Sequence, residues 1–316
     1  MKILKTCLYP CLAVALLIGM VACGQTPVPP TATPTAVPSP TLTAVVATLQ
    51  PTDEERTLTV DGAERTYLLH VPPGLDSSQP APVFFALHGF DTEKHFEISD
   101  LQNVAGFEAI SDQNGFILVY PSGLDGVWNV GGGCCKPAVD NNVDEAAFIR
   151  AILDDLSSTA NIDAKRIYAA GFSMGGMLAF KLGCEMSDTL AGVASVAGSM
   201  IYEPCQPDQP VSIFQVNGKA DTLVPYEGGV GGFMTGDIDF PPAEQVRDTW
   251  AQLDGCTGAV QMEDKGVATL TSYESCQDST AVELYTMDVL GNNWPTQYVL
   301  PVSQMIWDFF AAHPKP

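Results

Sequence analysis

The chain has 316 residues, 37 of them acidic and 14 basic, for a formal net charge of −23. A surface that acidic repels nucleic acid and anionic lipid and offers no phosphate-binding footprint, so a nucleic-acid partner is excluded. The length fits one large α/β domain behind a leader and does not require two domains.

Lys2 and Lys5 precede an apolar stretch from Leu12 to Val21, followed by Ala22-Cys23-Gly24. That stretch is too short to cross a bilayer, so residues 1–22 read as an export signal. A cysteine directly after small residues resembles a bacterial lipobox, which makes Cys23 the expected lipidated first residue and a lipid anchor the expected link to a membrane. Plain secretory cleavage is the alternative, because Met20 stands where leucine is usual. Residues 23–52 are rich in Pro, Thr, Ala and Val, with no charge from Gln25 to Pro51. Such a segment lacks the apolar side chains that offset ordering entropy and reads as a tether. The folded domain is expected over 53–316. Without Lys2 and Lys5, 12 basic residues face 37 acidic ones, a net charge of −25.

Thr57 to Val60 and Thr66 to Val71 are strand-like runs joined by the hairpin signal Asp61-Gly62. Val83 to Leu87 and Phe116 to Tyr120 are short continuous apolar runs of the kind buried on both faces of a parallel sheet. Helical spacing predicts helices over Ile98 to Asp112 and Val143 to Leu156, with Asp144 and Glu145 serving the second helix's N-terminus. Further strands are expected at Ile167 to Ala170, Val193 to Val196, Ile213 to Val216 and Val282 to Val289. Helices are expected at Gly176 to Met186, Ala243 to Leu253 and Val302 to Ala312. Strands alternating with helices after an opening hairpin describe an α/β fold with a mainly parallel sheet, whose sites lie at the carboxyl ends of the strands.

Beyond the leader the cysteines are Cys134, Cys135, Cys184, Cys205, Cys256 and Cys276, an even number that suggests disulfides in an exported domain. Cys256 and Cys276 flank one short segment and are the expected pair. Adjacent Cys134 and Cys135 are expected to bond to two different partners, because a bridge between neighbours strains the peptide between them. No metal site is expected, since CxxC spacing with histidines is absent.

Gly171-Phe172-Ser173-Met174-Gly175 falls between a strand-like and a helix-like run, the context of a nucleophile elbow. The chemistry implied is acyl transfer from an ester, with Ser173 as nucleophile and no cofactor. The oxyanion of the tetrahedral intermediate needs two backbone donors: the Met174 N–H is one, and the His88-Gly89-Phe90 loop supplies the other. His88 itself is expected to organise that loop. Asp221, in the loop after a late strand, is the expected acid that orients a base; a turn-capping aspartate is the alternative.

His88-Gly89, Tyr120-Pro121, Trp128 with Cys134-Cys135, the Gly171 to Gly175 elbow, Asp221 with Val224-Pro225-Tyr226, Trp250 ahead of Cys256, and Trp294-Pro295 stand in the order seen in one family. From about Thr57 to His313 the chain resembles extracellular polyhydroxybutyrate depolymerases and feruloyl esterases of the LpqC-like type, related to carbohydrate esterases. The resemblance implies an α/β-hydrolase fold, a Ser, Asp, His triad, no metal, and an ester substrate, a polyester or an acylated polysaccharide; a monomer is expected. Trp128, Tyr226 and Trp294 are candidate substrate-binding residues, with packing as the alternative for Trp128 and Tyr226. The family's last loop resembles Gly-His-X-Trp-Pro, whereas this chain has Gly291-Asn292-Asn293-Trp294-Pro295. Asn292 therefore stands at the base position, and a neutral amide cannot take the serine proton. Of the other histidines, His70 and His313 read as structural, and His95, in a charged loop, is a poor substitute base. Two readings follow: a slow ester hydrolase, or a tethered protein on an esterase scaffold that binds an ester or polysaccharide.

Overall fold

The computed structural model describes residues 49–90, 98–232 and 238–316. The leader with Cys23, the tether up to Thr48, and His95 lie outside the described residues. The first strands, β1 (Thr52–Val60) and β2 (Ala63–Val71), form the expected antiparallel hairpin with Val60 opposite Ala63. Both turn residues take positive φ, 50° at Asp61 and 81° at Gly62. That left-handed pair matches the twist of the flanking strands.

Strands β3 (Ala81–Leu87), β4 (Ile117–Pro121), β5 (Ile162–Phe172), β6 (Gly192–Val196) and β7 (Ser212–Gly218) follow. β8 (Gly229–Val230) and β9 (Asp239–Phe240) form a separate small ribbon. β10 (Gln261–Asp264), β11 (Thr269–Tyr273) and β12 (Val282–Met287) complete the main sheet. Its order is β1-β2-β4-β3-β5-β6-β7-β12-β11-β10. From β4 to β12 every pairing is parallel; the pairings outside that block, β1 with β2, β2 with β4, and β12 through β11 to β10, are antiparallel. The parallel block turns the carboxyl ends of β3, β5, β6, β7 and β12 to one edge, and every residue discussed below for catalysis follows one of those ends.

The helices are α1 (Ile98–Ala105), α2 (Phe107–Asn114), α3 (Glu145–Ser157), α4 (Met174–Glu185), α5 (Ala243–Leu253) and α6 (Val302–Ala312). Period-two alternation along β3 sends Val83, Phe85 and Leu87 into one core with α3, α4 and Trp250 of α5, and Phe84 and Ala86 into the other with α1, α2 and α6. The single helix expected over Ile98 to Asp112 is two, broken at Gly106, whose φ of 60° is left-handed and ends the first segment. Asp144 caps α3 by accepting the Ala147 N–H, as its position suggests. Glu145 does something else: it is fully buried, pairs with the Arg65 guanidinium at 2.8 Å and accepts the Asn129 N–H. A charge that deep is tolerated because it is paired and hydrogen-bonded. β10 and β11 were not foreseen, since β10 is exposed along its whole length and carries no apolar alternation.

Cys184 pairs with Cys205 and Cys256 with Cys276. Cys134 and Cys135 pair with each other, against the expectation of separate partners. The other four cysteines are consumed, and both neighbours are fully buried in the core beside Trp128. Cys135 accommodates the pairing with a left-handed φ of 71°.

Candidate active site

The elbow is built by backbone crowding. Ser173 sits between β5 and α4 with φ 51° and ψ −112°, a strained conformation for a side chain larger than glycine. Its N–H donates to the Val196 carbonyl at 2.7 Å and its carbonyl accepts the Met177 N–H at 3.0 Å, and these bonds hold the strain in place. A Cβ at Gly171 would overlap the backbone of Gly175, and one at Gly175 would overlap the carbonyl oxygens of Leu87 and His88. The two glycines of the motif are thus what lets α4 start directly against the end of β3.

At the first turn of α4 the Met174 N–H lies outside the intrahelical ladder and at the positive end of the helix dipole, as an oxyanion donor must. The loop facing it is fixed by His88. The Gly123 N–H donates to His88 Nε2 at 2.9 Å, so that nitrogen is unprotonated, and Nδ1 donates to the Gly89 carbonyl at 2.7 Å. Trp128 Nε1 donates to the His88 carbonyl at 3.0 Å, and its ring centroid lies 4.7 Å from the His88 ring. His88 therefore shapes the Gly89-Phe90 turn through both ring nitrogens. At Gly89 an added Cβ would lie 3.2 Å from the Phe172 ring, so the backbone runs close to the elbow.

Asp221 follows β7 and is buried. One carboxylate oxygen accepts the N–H groups of Leu223 and Val224 at 2.8 and 2.9 Å; the other accepts from Asn292 Nδ2 at 2.7 Å. The second Asn292 N–H goes to the Ala197 carbonyl at 3.1 Å. Both of these partners only accept, so the amide's nitrogen faces them and its oxygen is the one group left to offer the cleft. Ser173, Asp221 and Asn292 thus cluster at the ends of β5, β7 and β12, with Asn292 bonded to the acid as an imidazole would be.

The remaining described histidines are committed elsewhere. His70 bridges Asp53 and Asp112 at the opposite edge of the sheet, and His313 bonds the Phe309 carbonyl at the end of α6. Among the described residues no group of three His, Cys, Asp or Glu side chains is arranged to hold a metal ion.

The three candidate aromatic walls are packing residues. Trp128 is fully buried beneath the His88 loop. Tyr226 is buried with its hydroxyl bonded to Thr286 and Glu244. Trp294 donates to the Ser303 hydroxyl and sets its ring edge-on to Phe107 and Phe172. Each ring is more than nine-tenths buried and its polar tip finds a partner inside the protein, as packing residues do.

Sequence reading missed the support beneath the site. Asn217, buried on β7, donates to the Gly198 carbonyl at 3.0 Å and accepts from Gln215 Nε2 at 2.7 Å. Gly198 follows Ala197, whose φ is 55° and whose N–H donates to Val216. The turn that receives Asn292 is therefore pinned from below by Asn217. The signal was present: two amide side chains in a strand buried on both faces need partners, and such pairs mark a polar network.

Residues 139–231 match a family described as phospholipase/carboxylesterase. The chain is similar to the putative esterase NocK of Nocardia uniformis subsp. tsuyamanensis, at 35% identity over 234 residues, 69% of this chain and 65% of that protein. It is also similar to feruloyl esterase B of Piromyces equi, at 30% identity over 262 residues, 80% of this chain and 46% of that protein. The chain thus spans about half to two thirds of the length of these relatives. In structure it resembles the acetyl xylan esterase from Aspergillus awamori, with a TM-score of 0.59 at 15% identity, covering 82% of this chain and 99% of that one. The fold is the α/β-hydrolase fold.

Proposed function

We propose that this chain is an extracytoplasmic serine ester hydrolase, tethered through a lipidated Cys23 and acting on feruloyl, acetyl or hydroxybutyrate esters. The observation that carries the reading is the strained Ser173 elbow facing the Met174 N–H and the Gly89-Phe90 turn, with Asp221 hydrogen-bonded into the same cluster. Similarity to esterases supports the reaction class, and similarity to a feruloyl esterase supports an acylated polysaccharide as substrate. Three disulfides fit an oxidising compartment.

In this reading Ser173 Oγ attacks the ester carbonyl and the developing oxyanion is held by the Met174 and Gly89-Phe90 backbone N–H groups. The proton of Oγ has to leave as the C–O bond forms. Asn292 cannot receive it, so the proton passes to solvent water at the cleft; turnover is slow and rests on the oxyanion site and on substrate positioning, which in serine hydrolases retain about 10³-fold to 10⁴-fold over water without the triad.

A second reading is favoured by one observation: both N–H groups of Asn292 are spent on Asp221 and Ala197, so the side chain is held as a hydrogen-bond partner in the frame and presents only an amide oxygen to the cleft. It makes the protein a tethered binder of esters or polysaccharides on an esterase scaffold. Hydrolysis of p-nitrophenyl acetate and butyrate separates the two. Activity in the parent that disappears in Ser173→Ala supports the hydrolase. A silent parent that gains activity as Asn292→His supports the binder.

A further inference from the structure

A groove of about 550 Å³ opens between the β1–β2 hairpin, the start of α1 and the loop after β4, and His88 of the oxyanion turn forms part of its wall. Grooves of similar size beside β10 and at Met200 to Cys205 contain no residue of the elbow, the acid loop or the Asn292 loop. Of these three grooves it is the one that shares a residue, His88, with the oxyanion turn.

Its chemistry is set by the outer face of the hairpin. On that face Glu55 lies opposite Leu68, Thr57 opposite Thr66, and Thr59 opposite Glu64, while the other face buries Tyr67 and Leu69 in the core. Register puts every second residue on the outer side, so a row of carboxylates and hydroxyls faces outward. The groove takes Glu55, Glu64 and Thr66 from this row and adds Ser99, Gln102 and Asp125. Gln102 Nε2 is given to Glu108 at 2.7 Å, which leaves its oxygen as an acceptor.

Arg65 is the cation in the wall, but its charge is balanced by Glu145, although its buried Nε has no partner among the described residues. It is 3% exposed, its terminal nitrogen bonds Glu145 and the Ser122 carbonyl, and its guanidinium lies 4.0 Å from the centre of the Phe148 ring. The wall thus presents net negative charge and hydroxyl and amide groups that can both donate and accept. An anionic ligand is repelled, and the carboxylates do not converge as a metal site requires. A neutral ligand with many hydroxyl donors fits both constraints, and the volume holds about two sugar rings.

We propose that this groove is a subsite for the neutral saccharide that carries the ester. Carboxylates and Thr66 hold the sugar hydroxyls on one side of His88, and the acyl carbonyl reaches Ser173 on the other. The role of the sugar rests on the hydrolase reading; its binding does not.

The test is calorimetric titration of the full chain with ester-free xylo-oligosaccharides, neutral or bearing glucuronate. We expect the neutral sugar to bind with a Kd near 1 mM and the glucuronate form at least about tenfold more weakly. Thr66→Arg and Glu64→Lys, both on the outer row, each weaken neutral binding about tenfold or more, while Gln261→Arg, in the groove beside β10, leaves it within about twofold. Matched thermal melts separate lost binding from lost folding. Absence of binding up to about 10 mM overturns the proposal, as does equal binding by Thr66→Arg and Gln261→Arg, or tighter binding of the glucuronate form. Because the sugars carry no ester, sugar binding by a parent chain that cleaves neither p-nitrophenyl ester overturns the hydrolase reading and keeps the subsite. Ester cleavage without sugar binding does the reverse.

Discussion

The Gly171 to Gly175 elbow and the Gly291 to Pro295 loop stand at the same edge of the sheet, and they treat their chemistry differently. In the elbow one crowding does two things: the packing that forbids a Cβ at Gly171 or Gly175 is the packing that holds Ser173 under strain at the turn between β5 and α4. In the late loop they come apart. The loop is tied to the acid loop through Ala220 N–H to the Leu290 carbonyl and through Asn292 to Asp221. An amide satisfies these contacts as well as an imidazole would, but it transfers no proton. The same hydrogen-bond frame can therefore hold a side chain that is unable to act as a base.

The largest expected effect breaks the comparison by restoring the base. Asn292→His should place Nδ1 against Asp221 and raise p-nitrophenyl butyrate turnover by about 10²-fold to 10⁴-fold, with Ser173→Ala abolishing the gain. Its rate should climb with pH through the ordinary imidazole range, about 6.5, since only the neutral ring accepts the serine proton. A flat pH profile or an unchanged rate would show that the frame no longer presents Ser173 to that position.

Next in size is the contrast in backbone tolerance. Gly175→Ala should destabilise by about 4 kcal/mol or more, or prevent folding, because its Cβ has only carbonyl oxygens to enter. Gly291→Ala meets nothing nearer than the Asn293 amide at 3.3 Å and should cost less than about 1 kcal/mol. Urea midpoints of the two variants decide it, and similar values would show that the elbow is not specially crowded.

A third prediction separates pH effects on stability from those on chemistry. Burial pushes the Asp254 carboxyl up to about 7, only partly countered by the Val211 N–H, and its second oxygen has no partner among the described residues. An acid raised in the folded state keeps its proton there and loses it in the unfolded chain from about pH 4. Stability is therefore greatest below about pH 4 as far as this group is concerned, and falls as pH rises to about 7. Asp254→Asn should remove that fall, a gain of a few kcal/mol at most at pH 8 and little at pH 4, read from thermal melts. The smallest effect concerns the pin under the late loop. Asn217→Ala should cost about 1–3 kcal/mol by leaving the Gly198 carbonyl unpaired and Gln215 with only its long bond to the Ala243 carbonyl, and should lower turnover of the Asn292→His variant more than it raises KM. An equal change in both would make Asn217 a purely structural residue.

Much of this architecture was legible in the chain. The apolar runs at Val83, Phe116, Ile167, Val193, Ile213 and Val282 became sheet strands, and α5 and α6 begin and end where periodicity put them. These features are written locally: alternation, turn residues and capping act over a few neighbours. The β10–β11 hairpin was not legible, because an exposed edge strand needs no apolar pattern. Nor was the fate of Trp128, Tyr226 and Trp294, since an aromatic residue in a loop has the same sequence appearance whether it lines a cleft or fills a core.

The sequence by itself determined the alternating fold, the hairpin turn, the elbow and an asparagine at 292 where the resemblance leads one to expect a histidine, because each depends on residue identity and short-range spacing. Tertiary structure alone decided that Cys134 bonds Cys135, that Glu145 pairs with Arg65 across 80 residues, and that Asn292 reaches Asp221 and Ala197 across 71 and 95. The first follows from the pairing of the other four cysteines, and the long-range partners are chosen by how the strands order in the sheet and what their ends then bring within hydrogen-bond reach.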